Sequence, residues 1–175
     1  MAIRICDLPA NAFLRRYVQS GGYTDCYVSQ VSGPIQLRQY VEAFYTTWLF
    51  KAERTVLSWA GHSSTDADAA EVARGTSSCF AAWRVEDRDE DQLLMCDATG
   101  RTRSWFKIAN ISSDKGMQTF LYFGSGITPV DSGSADRLSI GPVFKLLTGF
   151  HKLYSRALLA ATTRKIASQT SKVTT

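Results

Sequence analysis

The chain has 175 residues, of which 45% are apolar and 21% are charged, a composition typical of a soluble globular domain. A chain of this length buries roughly 70% of its unfolded surface, so a single domain over residues 1–175 is expected to fold without disulfide bonds or a structural metal. We expect no secretory signal, because Met1 to Asp7 lacks a long enough apolar core, and no membrane span, because the most apolar region, Ile35 to Trp59, contains five charged residues. The net charge of +4 comes without a recognised nucleic-acid motif, so nucleic-acid binding is not favoured.

The first part of the chain predicts helices around a single strand. Helical spacing of apolar residues indicates a short helix within Asp7–Ser20, and Tyr23–Val31 has the composition of a strand. An amphipathic helix then begins near Ile35 and a second spans Lys51–Trp59. Ser64 and the acids after it indicate the start of a third, short helix that ends at Gly75.

The middle of the chain changes to the two-residue period of β-strands. Polar turns separate the segments, which predicts an antiparallel meander. The glycines of Gly124-Ser125-Gly126 indicate a strand end or a bulge. The four predicted strands are Ser78–Glu86, Gln92–Ala98, Thr102–Asn110 and Met117–Ser125.

The last predicted element is a long amphipathic helix from Gly141 to about Ser168. No acid occurs in it, and its apolar stripe is broad. Thr128–Ser139 before it is predicted to be a loop, and residues 168–175 a frayed tail. The stripe comprises Ile140, Phe144, Leu147, His151, Tyr154 and Leu158.

Cysteine spacing and charge distribution give two further expectations. The four cysteines form no Cys-x-x-Cys pair, which favours free thiols, a reducing cytoplasmic location and no metal site. Cys79 and Cys96 lie in strand-like segments, where buried thiols are common. Asp66–Asp97 carries nine acids, whereas Arg137 to the end carries seven bases and no acid. This asymmetry fits solvated surfaces, and alternatively the pairing of two copies as a homodimer.

The order of elements resembles the helix-grip fold of the START-like (SRPBCC) superfamily. The resemblance covers about Tyr23 to Ile166, and the segment from Leu93 to Phe106 is similar to uncharacterised bacterial proteins placed in that superfamily. It implies an α+β fold in which a curved antiparallel sheet grips the long C-terminal helix, with a helix pair after the first strand. It also implies an apolar cavity between sheet and helix, but no particular chemistry and no cofactor.

The chain departs from the family pattern at two places. It has one predicted strand before the helices and four after them, fewer than the family usually has after them. Residues 1–22 are predicted to be an N-terminal extension outside the pattern, with residues 23–167 as the helix-grip core.

The resemblance places one face of the strands opposite the last helix. The predicted ligand-binding residues are Trp83, Phe106, Leu121, Phe123, Phe144, Leu147 and Arg103. The alternative is a closed core without a cavity. Arg84, Arg101 and Arg103 suit a carboxylate or phosphate of a ligand, with surface ion pairs as the alternative; Arg84 equally suits pairing with the acidic turn.

His151 and Tyr154 are the candidate catalytic residues. A histidine titrates near neutral pH and can transfer a proton, and a tyrosine hydroxyl can donate a hydrogen bond to a carbonyl. His151 alternatively bonds a backbone carbonyl at the edge of the core, and Tyr154 alternatively lies at the rim.

Three functions follow from these residues. The favoured one is binding of a small apolar or amphipathic molecule between sheet and helix. The alternatives are a cyclase- or isomerase-type enzyme acting on a polyketide-like substrate through His151 and Tyr154, and a protein-interaction module. Exposure of Trp48 or Trp59 would support the interaction module.

Overall fold

The structure is a computed structural model that describes residues 2–59, 61–114, 116–128 and 141–173. Within these ranges the side chains of residues 113, 141–151 and 171–173 are not described. The fold is α+β, with a curved antiparallel sheet and a long C-terminal helix.

Seven strands of the described residues form one antiparallel sheet. They are β1 (Arg4–Ile5), β2 (Tyr23–Ser32), β3 (Cys79–Phe80), β4 (Trp83–Arg88), β5 (Gln92–Asp97), β6 (Thr102–Ser113) and β7 (Gly116–Ile127). Their spatial order is β1-β2-β7-β6-β5-β4-β3. The first long strand therefore lies beside the last one, and β3 to β7 follow one another as the predicted meander.

The described helices are α1 (Arg15–Gln19), α2 (Leu37–Tyr45), α3 (Trp48–Trp59), α4 (Asp66–Arg74) and α5 (Gly141–Val173). Thr65 caps α4 and accepts a hydrogen bond from the amide of Asp68, while Asp68 accepts one from the amide of Thr65. Gly75 closes α4 in the left-handed conformation, with φ of 83°. The predicted start and end of this helix are confirmed.

The predicted strand Ser78–Glu86 was wrong as a single element. Phe80 pairs with Trp83, so a two-residue turn at Ala81 and Ala82 divides the segment into β3 and β4. Ala81 has φ of 51°, a conformation that usually selects glycine or asparagine. Among the described residues, the sheet thus has two strands before helix α2 and five between helices α4 and α5.

The inner face of the sheet packs against α2, α3, α4 and α5. Alternate residues of the central strands point to this side, as the two-residue period predicts. Leu93, Phe106, Ile108, Leu121 and Phe123 are buried there. The C-terminal helix is fixed by Leu158, Leu159 and Ile166 in the same core, and by a 2.7 Å hydrogen bond between the hydroxyls of Ser29 and Thr163.

The predicted N-terminal extension covers the outer face of the sheet. Ala12 and Leu14 are buried there with Cys26, Leu94 and Trp105. The bulge interpretation of Gly124 and Gly126 was wrong, because β7 keeps regular register through both residues; Gly126 lies one residue before the strand end at Ile127. A Cβ at either glycine would lie within 3.0 Å of Leu14, so the two glycines make room for that side chain.

The described helices include none long and apolar enough to cross a membrane. The cysteines are free, but they differ in environment. Cys96 is buried as expected, whereas Cys79 is exposed at the sheet edge, so its predicted burial was wrong. Cys6 and Cys26 place their sulfur atoms 3.3 Å apart, next to the pairing of β1 with β2.

Candidate functional site

A cavity of about 650 Å³ lies between the sheet and helices α2, α3 and α5. That volume is within the range of small-molecule sites in proteins, ~300–1,000 Å³. Val56 and Ala52 line the cavity and are also exposed, so α3 forms its rim. The described lining residues are Phe44, Tyr45, Leu49, Phe50, Ala52, Glu53, Val56, Trp83, Asp97, Thr102, Ser104, Phe123, Tyr154, Ser155 and Leu158.

The wall on the α2 side is a packed aromatic cluster. Phe44 lies 4.8 Å from Phe123 between ring centroids, and Tyr45 lies 4.8 Å from Phe50. These rings come from the apolar faces of α2 and α3 and from the inner face of β7. Because they contact one another as well as the cavity, this wall is preformed and holds its shape without a ligand.

One polar pair interrupts the apolar lining. The Tyr154 hydroxyl on α5 donates a hydrogen bond to Oε2 of Glu53 on α3. Burial raises the pKa of Glu53, and the bond from Tyr154 opposes this shift only in part. Burial also raises the pKa of Tyr154 far above its usual range, with the Glu53 charge adding to it. Tyr154 is therefore a hydrogen-bond donor at neutral pH, directed at a carboxyl group that is poorly solvated.

Two other polar groups line the cavity, the Tyr45 hydroxyl and the Asp97 carboxylate, and they differ in their hydrogen bonding. The Tyr45 hydroxyl is buried, and no described residue bonds it. Asp97 is fully engaged in its turn: Oδ1 accepts from the amides of Arg101 and Thr102, and Oδ2 accepts from the Thr99 hydroxyl at 2.6 Å. A ligand therefore meets Asp97 as part of a rigid turn, and Glu53 as the less constrained acid.

The structure brings three of the predicted site residues to this cavity: Trp83, Phe123 and Tyr154. Phe106 and Leu121 lie on the same inner face, buried as part of the core, and Phe106 contacts the Phe44 ring of α2. The side chains of Phe144, Leu147 and His151 on α5 lie outside the described residues.

Arg103 does not lie with the others. Arg103 lies three residues before Phe106 on β6, and side chains an odd number of residues apart point to opposite faces of a strand. Because Phe106 is on the inner face, the Arg103 side chain is on the outer face of the sheet. There the guanidinium bonds Glu86 at 3.1 Å and lies over the Tyr17 ring at 4.4 Å. The arrangement favours the alternative considered for Arg103, pairing with an acid, over ligand binding in the cavity.

Glu53 is the residue that the sequence analysis missed. It was treated only as a charge that interrupts an apolar run. Its spacing carried a signal, however, because Leu49, Glu53 and Leu57 are four residues apart and share one side of α3. An acid on the apolar side of a helix is a candidate for a buried functional group.

Replacing Glu53 with glutamine is expected to stabilise the protein at neutral pH. Because burial raises its pKa, the native state keeps the proton to higher pH than the unfolded chain. Stability from this group is full below the unfolded pKa of about 4.3 and falls as pH rises through the native pKa. Glutamine retains an oxygen that accepts from Tyr154. Thermal unfolding from about pH 4 to neutral should show a Glu53→Gln advantage that grows with pH, and exposed Glu71→Gln should show no such trend.

Comparison of the sequence with protein-family models and with curated proteins finds no match. The cavity and its lining are therefore the basis for assigning a function.

Proposed function

We propose that this protein binds a small apolar or amphipathic molecule in the cavity between the inner face of the sheet and helix α5. The observation that carries the proposal is the cavity itself, about 650 Å³ and lined mainly by aromatic and aliphatic side chains. Burial of a ligand against such walls is favoured by about 25 cal/mol per Å² of apolar surface removed from water.

The fold supports this proposal through the position of the cavity. The START-like resemblance implies a cavity between a curved sheet and the last helix, and this cavity lies between β4, β6, β7 and the helices α3 and α5. We assign the chain to a helix-grip architecture on these grounds. The alternative of a closed interior is not favoured by the described residues.

A neutral fluorescent probe tests the proposal directly. N-Phenyl-1-naphthylamine, which brightens in apolar sites, is expected to bind with saturable fluorescence. Ala52→Trp places an indole at the rim and should weaken binding at least tenfold. Thr55→Trp is the matched control, because Thr55 is exposed on the same helix and is not among the lining residues. Absence of saturable binding, or equal loss in both variants, would contradict the proposal.

The enzyme and interaction alternatives remain predictions. Tyr154 lies in the cavity, while the side chain of His151, its proposed catalytic partner, lies outside the described residues. The interaction module is favoured by Trp48 and Trp59, which are 74% and 83% exposed at the two ends of α3.

A further inference from the structure

The ionisable side chains that line the cavity are all acids or phenols among the described residues. They are Glu53, Asp97, Tyr45 and Tyr154, and no described lysine, arginine or histidine accompanies them. A ligand that carries a carboxylate or a phosphate would bring a like charge next to Asp97 and the half-buried Glu53. Such a ligand is disfavoured, because the repulsion is weakly screened in a partly buried site.

Glu53 is the acid with capacity left for a ligand. Its Oε2 accepts from Tyr154, and among the described residues no other donor and no cation bonds the carboxylate. The neighbouring cation on the same helix is committed elsewhere: Arg54 bonds Asp66 at 2.7 Å and the Ser64 carbonyl at 2.5 Å. Among the described residues, the remaining oxygen of Glu53 is therefore an acceptor without a protein donor, at the edge of an apolar cavity.

The Tyr154 hydroxyl fixes the position of the Glu53 carboxyl group. Because the phenol already donates to Oε2, it holds the carboxyl group in place between α3 and α5. Glu53 is half-buried, so its carboxylate has lost part of its hydration, and a donor supplied by a ligand would replace what it has lost. The strongest such donor is a charged one, since hydrogen bonds between ionised partners are roughly twice as strong as neutral ones.

We propose that the ligand of this cavity is an apolar molecule that ends in a protonated amine, with its ammonium group bound by Glu53 and its apolar body against Phe44, Phe50 and Phe123. This inference rests on the proposed function and specifies the chemical class of its ligand. The ammonium replaces the missing donor, and the aromatic wall covers the apolar body.

The test compares three ligands that share one chain and differ in the head group. Decylamine, decanol and decanoate are each used to displace N-phenyl-1-naphthylamine from the intact protein at neutral pH. Decylamine is expected to displace the probe at concentrations at least tenfold lower than decanol, and decanoate to be the weakest. In Glu53→Gln the preference for amine over alcohol should fall toward one, whereas Glu71→Gln should keep the wild-type preference.

The outcomes separate this inference from the function on which it rests. If the probe binds and the three ligands compete equally, the cavity binds apolar molecules but the amine assignment is wrong. If amine preference persists in Glu53→Gln, the assignment of Glu53 is wrong. If the probe does not bind at all, the proposed function itself fails.

Discussion

Replacing Phe106 with alanine is expected to lower the free energy of unfolding by about 4 kcal/mol. The side chain is fully buried at the centre of the inner face. Its ring centroid lies 4.8 Å from that of Phe44 and 5.3 Å from that of Phe123. Truncation removes these contacts and leaves a void that rigid neighbours cannot fill, so both the transfer and the cavity costs apply. Urea unfolding with an unchanged m value measures the loss.

The control for this variant is Ile111→Ala on the same strand. Ile111 is 50% exposed, so its truncation should cost less than about 1 kcal/mol. The comparison also decides between two roles for Phe106. A loss of about 4 kcal/mol identifies a core residue, as its burial indicates. A loss as small as that of Ile111, together with altered probe binding, would instead identify a residue that faces the ligand.

The sequence predicted correctly those elements that are determined by a few neighbouring residues. The cap at Thr65 and the glycine at 75 define α4 by local hydrogen bonds and backbone freedom alone. The resemblance assigned Phe106 to the strand face opposite the last helix, and Phe106 is buried in the core on the inner face. The turn between β3 and β4 escaped notice because an alanine adopts the left-handed conformation there.

The features that sequence reasoning missed depend on contacts between distant segments. The N-terminal segment is part of the packed structure because Leu14 fits beside Gly124 and Gly126, more than a hundred residues away. The role of Glu53 depends on Tyr154, which α5 brings against α3. Neither relation has a periodic signature, so composition and spacing alone could not have assigned them.

The attachment of the N-terminal segment depends on one buried amide, Gln92 on β5. Its Oε1 accepts from the backbone amide of Phe13 at 3.2 Å and from the indole nitrogen of Trp105 at 3.0 Å. Its Nε2 donates to the carbonyl of Asn11 at 3.1 Å. A single side chain thus satisfies three groups on the covered outer face, two of them on the N-terminal segment.

Gln92→Ala is therefore expected to destabilise the protein by roughly 2 kcal/mol and to loosen the N-terminal segment. The variant leaves two donors and one acceptor without partners. The buried Trp105 indole bears most of the cost, because Asn11 is exposed and Phe13 is half-buried, so their backbone groups can bond water when the segment opens. Arg15 and Arg16 are exposed but lie in helix α1, so opening unfolds the backbone around them and lets trypsin cleave there. Mass spectrometry should detect faster cleavage after these residues than in the wild type. Gln169→Ala, on the exposed side of α5, should change neither quantity. A strong loss of stability with no gain in cleavage would mean that the segment stays bound through its other contacts, such as Leu14 and the ion pair of Arg16 with Asp87, and that Gln92 acts only by satisfying Trp105.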